Sequence, residues 1–136
     1  MAELFIDTNV FLRHLTHDHD EFSPKATALF ARIERGELNA RTAETAIFET
    51  VFTLERSYRV ARADIREGLL SLIELPGLAI SGKQRVRRAF DLYVERNMSF
   101  GDAYHVAVME QLGIEEIASF DRDFDKVPGI RRVEPS

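Results

Sequence analysis

The chain has 136 residues, no cysteine and a formal net charge of −5. This length suits a single domain over residues 1–136, and the lack of cysteine excludes disulfides and thiolate metal sites. The net negative charge argues against a general attraction to nucleic acid, but it leaves a surplus of acids that could gather at one place.

Short apolar runs alternate along the chain with longer segments of helical periodicity. In chain order, the sequence predicts a strand at 3–6, helices at 8–15 and 23–36, a strand at 37–41, a helix at 43–58, a helix through 65–73 that ends at Pro76, a strand at 78–80, helices at 83–96 and 99–113, and strands at 117–120 and 130–133. This alternation indicates right-handed crossovers and a parallel sheet with helices on both faces.

Capping residues mark several of the predicted ends. Ser23 is expected to cap the second helix, with Pro24 in its first turn and Gly36 at its end. The apolar run Leu4 to Ile6 predicts a buried first strand. No segment approaches the ~20 apolar residues that cross a bilayer. Residues 1–10 also lack the basic and apolar regions of a signal peptide, so we expect a cytoplasmic protein.

Two predicted strands end on a carboxylate, at Asp7 and at Asp121. In open α/β sheets, ligands bind outside the carboxyl ends of the strands. Asp7 and Asp121 would therefore converge if the first and fourth strands were neighbours. Asp102, near the start of the last long helix, could reach the same crevice. Glu49 lies at the border of an apolar helical face, and periodicity alone does not select it over Glu44 or Glu55.

Gathered carboxylates repel one another unless a cation binds between them. Mg²⁺ prefers oxygen ligands and can activate water for attack on a phosphodiester. The alternative interpretation is structural, because Asp7 and Asp102 also suit helix caps or first-turn positions and Asp121 suits a turn. The residues by themselves leave both interpretations open.

Four motifs then follow one another in a recognisable order: IDTNVFLRHL, ETVFTLERSY, FGDAYHVA and SFDRDF. This series, which extends over essentially the whole chain, resembles the PIN-domain ribonucleases and most closely the VapC-type toxins of toxin–antitoxin pairs. The resemblance implies a three-layer α/β/α fold with a central, mostly parallel sheet of four to five strands.

The resemblance also implies the site. It assigns four acids as catalytic residues and metal ligands, and these are Asp7, Glu49, Asp102 and Asp121. It implies supporting roles for Thr8, Asn9 and Ser119, the last standing where the family usually has threonine. Asp123 could share or replace the role of Asp121.

The implied function is a Mg²⁺- or Mn²⁺-dependent endoribonuclease that forms homodimers. Its partners would be the RNA substrate and a cognate antitoxin whose C-terminal segment covers the active site. The alternatives are a PIN nuclease of RNA processing or DNA repair, and a non-catalytic module of the same fold that binds RNA or a partner. Fold alone does not choose among them.

Two other groups of residues have a weaker claim to function. His14, His17 and His19 could bind a transition metal, but their irregular spacing favours an ordinary surface loop. Several arginines could contact RNA phosphates, although most are expected to pair with nearby acids. They are Arg56, Arg59, Arg62, Arg66, Arg85, Arg87 and Arg88.

Overall fold

The computed structural model describes residues 3–136, which form two compact units, one ending at Lys83 and the other beginning at Gln84. The first unit contains β1 (Leu4–Phe5), α1 (Thr8–Thr16), α2 (Phe22–Glu34), β2 (Ala40–Thr42), α3 (Glu44–Arg56), α4 (Arg62–Ile73) and β3 (Leu78–Ile80). The second contains nearly all of α5 (Lys83–Glu95), then α6 (Phe100–Leu112), β4 (Glu116–Ala118), a 3₁₀ helix (Arg122–Lys126) and β5 (Arg131–Val133). Six helices and five strands were predicted, and each is found at or near its predicted position.

All strand pairs within the described residues are parallel, which confirms the α/β class. The strands form a three-stranded sheet of order β1-β2-β3 and a two-stranded sheet of β4 and β5. Each sheet is thus smaller than the predicted one of four to five strands. The convergence of Asp7 and Asp121 was conditional on β1 and β4 being neighbours, and the ladders instead pair β1 with β2 and β4 with β5.

The first unit is held together by apolar faces of its helices. Phe11 of α1 is fully buried, and its ring lies 5.4 Å from that of Phe30 on α2. Ile47 and Val51 bury one face of α3, as the helical spacing predicts. The prediction of a buried first strand is wrong, because Leu4 and Phe5 are exposed and only the following Ile6 is buried.

The second unit has an aromatic core. The Phe90 and Phe100 ring centroids are 4.6 Å apart, and Tyr93 packs edge-on against Phe100 at 5.7 Å. All three side chains are buried. Edge-on and tilted contacts of this kind stabilise a core beyond the area that they bury. They fix α5 against the start of α6, where Asp102 lies.

Two local details differ from the sequence prediction. The N-cap of α2 is Glu21, and Ser23 lies inside the helix as a buried residue. The ring Nδ1 of His19 accepts hydrogen bonds from the backbone N–H groups of Phe22 and Glu21, at 2.9 and 3.3 Å, so a histidine supplies the cap that serine was expected to supply. The 3₁₀ helix after β4 was not predicted.

None of the helices within residues 3–136 has the length and apolar character needed to span a membrane.

Candidate metal-binding carboxylates

In the first unit, Asp7 follows directly on Ile6 at the carboxyl end of β1. The Ile6 backbone N–H donates to the Arg41 carbonyl at 2.9 Å, and the Thr42 hydroxyl donates to the Ile6 carbonyl at 2.8 Å. Thr42 is buried, so this side-chain bond anchors the strand end on β2. Thr42 was not among the residues predicted for the site, although it directly follows the strand predicted at 37–41.

Asp7 occupies the N-cap position of α1 with extended backbone angles, but its side chain makes no capping hydrogen bond. An N-cap aspartate ordinarily accepts a bond from the N–H two or three residues ahead. The exposed Asp7 carboxylate is therefore directed to solvent at a helix N-terminus, where the helix dipole favours negative charge.

Glu49 is brought to the same end of the first unit by its neighbour Thr8. The Thr8 hydroxyl donates a 2.9 Å hydrogen bond to Oε2 of Glu49, joining the first turn of α1 to the middle of α3. This contact distinguishes Glu49 from Glu44 and Glu55, which periodicity could not do. Glu55 instead pairs with Arg62 at 3.5 Å.

In the second unit, Asp102 lies in the first turn of α6. The hydroxyl of Ser99, the N-cap residue, accepts a hydrogen bond from the Asp102 backbone N–H at 3.2 Å. Burial raises the pKa of the Asp102 carboxyl, and the Asp121 carboxylate raises it further by charge repulsion and a side-chain hydrogen bond. Ser99 and His105 act in the opposite direction. The smaller contribution of Asp121 to this raised pKa indicates that the two carboxyl groups lie close together.

Two hydrogen bonds between side chains and the backbone hold Asp121. The Ser119 hydroxyl accepts a bond from the Asp121 N–H at 3.0 Å, and Oδ1 of Asp121 accepts one from the Asp123 N–H at 2.9 Å. Asp121 is thus the N-cap of the 3₁₀ helix, as the turn interpretation expected. One carboxylate oxygen is used in the cap, and the group as a whole stays exposed.

The structure gives two pairs of side chains, Thr8 with Glu49 and Asp102 with Asp121. Only the second is a pair of acids, and Asp7 belongs to neither. Across residues 3–136, no group of three or more His, Asp or Glu side chains is positioned to hold a metal ion. The chemistry of the donors nevertheless suits Mg²⁺ or Mn²⁺, because all of them are oxygen atoms.

The family follows from comparison with known proteins. The sequence profile of the PIN domain matches residues 4–130, nearly the whole chain and both of its units. The chain belongs to the PIN-domain family. Its acids therefore stand in a domain type that includes nucleases, and the pattern of motifs from which the resemblance was drawn is confirmed.

Curated relatives of this PIN domain carry VapC names. A VapC ribonuclease of Aquifex aeolicus is 28% identical over 130 residues, covering 96% of this chain and 95% of that protein. Ribonuclease VapC13 of Mycobacterium tuberculosis is 47% identical over 38 residues, or 28% of this chain and 29% of that protein. Among solved structures, Mycobacterium tuberculosis VapC20 shares 22% identity over 90% of this chain and 93% of its own, with a TM-score of 0.42.

The remaining candidates of this PIN domain have structural partners. Asp123 pairs with Lys126 at 3.2 Å, whereas Asp121 contributes to the raised pKa of Asp102. Asn9 is exposed and lines a groove of about 420 Å³ between α1 and α2.

Members of the histidine segment and of the arginine group also make structural contacts. His14 bonds Thr27 through Nδ1 at 2.8 Å, and His19 caps α2. Asp18 accepts bonds from Tyr58 at 2.5 Å, Thr16 at 2.7 Å and Arg13 at 3.0 Å, which together hold its pKa well below the usual range. On α5, Arg88 forms a two-point pair with Glu110, at 2.8 and 3.2 Å. These contacts favour the structural interpretation of both groups.

Proposed function

We propose that this protein is a metal-dependent endoribonuclease and the toxin component of a VapBC-type toxin–antitoxin pair. The observation that carries the proposal is the similarity to a VapC ribonuclease over 96% of the chain. The family profile and the two pairs of side chains at the predicted acids support it.

Asp7, Glu49, Asp102 and Asp121 are the proposed ligands of Mg²⁺ or Mn²⁺. Such an ion, when bound, supplies an activated water for attack on the phosphodiester and stabilises the charge that develops there. Thr8 orients the Glu49 carboxylate through its 2.9 Å bond, so that one oxygen is fixed and the other is available. The Ser119 hydroxyl fixes the backbone of Asp121 by accepting a hydrogen bond from its N–H group, and Asn9 and Asp123 are retained as supporting residues.

The Asp102–Asp121 pair is a place where a bound cation would be favourable. Two carboxylates whose proximity raises a pKa bind protons more readily than isolated ones. A divalent cation removes that repulsion and takes the place of the proton. The repulsion between Asp102 and Asp121 would therefore be smaller with a hard cation bound than without one.

The decisive experiment compares RNA cleavage by the wild type with that by Asp7→Asn. Asparagine keeps the size and N-cap preference of aspartate but removes the charge. Losing a ligand should cost more than the roughly 10- to 100-fold that an outer hydrogen-bonding partner costs. Cleavage should also stop on chelation and return with added Mg²⁺ or Mn²⁺.

Glu67→Gln is the matched control, because Glu67 is an exposed acid on α4 outside both pairs. It should cleave like the wild type. Cleavage by Asp7→Asn at the wild-type rate, with an unchanged circular dichroism spectrum, would refute the assignment. If the wild type binds RNA without cutting it under any divalent ion, the binding-module alternative replaces the nuclease.

A cognate antitoxin and a homodimer belong to the same proposal. An arginine or similar group from the antitoxin could pair with the acids and block metal binding. Co-expression with the product of the adjacent gene should then suppress cleavage and lower Mg²⁺ affinity. If that partner binds and leaves both quantities unchanged, this account of inhibition is wrong. Light scattering of the purified chain tests the dimer.

A further inference from the structure

A largely buried arginine, Arg132, lies on β5 in the same unit as Asp102 and Asp121. Its side chain is 14% exposed, whereas that of Arg131, the preceding residue on the strand, is 71% exposed. Successive side chains of a strand point to opposite faces, so Arg132 is directed at the protein and Arg131 at solvent. A cation that is removed from water needs partners, and the partners of Arg132 lie around Asp121.

The guanidinium of Arg132 contacts both ends of the segment 119–125, which carries Asp121. Its Nη1 donates to the Ser119 carbonyl at 3.2 Å, directly after β4. Its Nε and Nη2 donate to Oδ1 and Oδ2 of Asp125, on the 3₁₀ helix, at 3.2 and 3.5 Å. Nη1 also donates to Glu134 at 3.2 Å. Because the guanidinium is planar and rigid, it fixes these two ends of the segment relative to each other.

Ser119 transmits this constraint to Asp121. The Ser119 N–H donates to the Val133 carbonyl at 3.1 Å, so Ser119 is held on β5 through its N–H and on Arg132 through its carbonyl. Its hydroxyl then accepts the Asp121 N–H at 3.0 Å. Asp121 in turn accepts the Asp123 N–H through Oδ1 at 2.9 Å, within the segment whose far end Arg132 also holds. The place of the Asp121 carboxylate therefore depends on Arg132.

We propose that Arg132 is a positioning residue that holds the segment 119–125 so that Asp121 stays next to Asp102 and available to a divalent cation. The inference rests on the proposed metal-dependent function and deepens it, because it adds a residue that acts through Ser119 and Asp125. The charge of Arg132 is paired with Asp125 and Glu134, so Arg132 acts on Asp121 by geometry. Loss of a partner that orients a metal ligand typically lowers metal affinity by roughly 10- to 100-fold.

Arg132→Lys tests the proposal, and Arg131→Lys is its matched control. Lysine keeps the charge and the apolar stem, but a single ammonium group does not reproduce the fork that reaches Ser119 and Asp125 together. Arg131 lies on the same strand and pairs with Glu116 at 2.6 Å, outside the segment 119–125. Arg132→Met, which keeps the stem and removes every donor, should have a larger effect than Arg132→Lys.

Amide hydrogen exchange in EDTA gives a measurement that needs neither metal nor RNA. In Arg132→Lys, the N–H groups of Asp121 and Asp123 should exchange about 5-fold faster than in the wild type, as expected when a hydrogen bond of ordinary strength is lost. The Ala103 N–H, which donates to the Ser99 carbonyl on α6 at 2.9 Å, is the internal reference and should be unaffected. Arg131→Lys should match the wild type at all three positions.

Mg²⁺ affinity gives the second measurement, obtained from the rise in Tm and from the RNA cleavage rate at increasing Mg²⁺. Arg132→Lys should need about 10-fold more Mg²⁺ than the wild type for half of each effect. Arg131→Lys should need the same concentration as the wild type. A role in folding alone would lower the Tm in EDTA and leave this concentration unchanged.

The outcomes separate this inference from the proposed function. If the wild type binds Mg²⁺ and cleaves RNA, and both Arg132 variants show the Mg²⁺ affinity of the wild type, the positioning role is refuted and the ribonuclease stands. Faster exchange at Ala103 as well as at Asp121, with unchanged Mg²⁺ affinity, would assign Arg132 to general stability and also refute it. If the wild type binds no Mg²⁺ and cleaves no RNA, both proposals fall.

Discussion

At the scale of single residues, the question for each acid was whether it caps a helix or belongs to a metal site. Asp121 caps the 3₁₀ helix through Oδ1, so its structural role is real. Asp7 holds the cap position without the cap bond, which leaves its carboxylate uncommitted. Glu49 is oriented by the hydroxyl of Thr8, in a bond that also joins α1 to α3. The three acids therefore differ in how far their carboxylate oxygens are engaged in hydrogen bonds within the fold.

Thr8 gives a prediction at this scale. Thr8→Val keeps the β-branched shape and removes the hydroxyl that bonds Glu49. The helix should persist, while metal affinity or cleavage falls by roughly 10- to 100-fold, as expected for a partner that orients a ligand. The apparent Mg²⁺ dissociation constant, measured from the cleavage rate at increasing Mg²⁺, reports the effect.

Thr8→Ser provides the control for this prediction, because serine retains the donor at the same position. It should restore most of the affinity. Equal Mg²⁺ dependence of the Val variant and the wild type would mean that the Thr8–Glu49 bond has no bearing on the metal.

At the scale of elements, periodicity predicted the helices because their apolar stripes are buried, as Phe11, Ile47 and Phe90 show. It did not predict the 3₁₀ helix, because a segment of five residues carries too little periodic signal. It also assigned burial to β1, whose short ladder has β2 as its pairing partner and whose Leu4 and Phe5 are exposed. Composition indicates an apolar strand but not which of its faces is covered.

The packing of α1 on α2 gives a pH prediction. His14 packs on Phe30, with ring centroids 5.0 Å apart, and burial followed by the nearby His17 lowers its pKa from the ordinary value of 6.5. The folded state therefore favours the neutral ring. Its contribution to stability is complete above pH 6.5 and is lost as the pH falls from 6.5 through the lowered folded-state pKa.

Urea unfolding between about pH 8 and about pH 5 checks this. The wild type should lose more unfolding free energy over that range than His14→Gln, which carries no titrating ring. His17→Asn should reduce the loss, since it removes the repelling ring and asparagine tolerates the left-handed backbone at this position, where φ is 52°. Parallel pH profiles for all three proteins would contradict the assignment to His14.

At the scale of the whole molecule, the sequence indicated the class of fold and the identities of the acids but not how the strands divide. Residue spacing is compatible with one sheet or two, and the described strands form two, one of three strands and one of two. Similarly, the Thr42–Ile6 bond joins residues 36 positions apart, and the Thr8–Glu49 bond joins residues 41 positions apart. No local sequence pattern reveals such contacts. The single domain over residues 1–136 stays a prediction, since the chain forms two compact units.

The last prediction concerns the stability of the entire chain. The chain has a net charge of −5, and Asp121 contributes to the raised pKa of Asp102. We therefore expect a cation that relieves the repulsion between these two carboxylates to stabilise the folded protein. Mg²⁺ at about 100 times its dissociation constant should add about 2.7 kcal/mol to the unfolding free energy of the wild type. Thermal unfolding with and without Mg²⁺ measures this gain as a rise in Tm.

The same measurement on Asp7→Asn and Asp102→Asn separates specific binding from general screening. Both variants should lose most of the Mg²⁺-dependent rise, whereas Glu67→Gln, which also removes one negative charge, should keep it. Asp102→Asn should in addition be at least as stable as the wild type without the ion, because one member of the repelling Asp102–Asp121 pair is then neutral. An equal rise in all four proteins would show that Mg²⁺ acts on the general surface charge and that these carboxylates do not hold it.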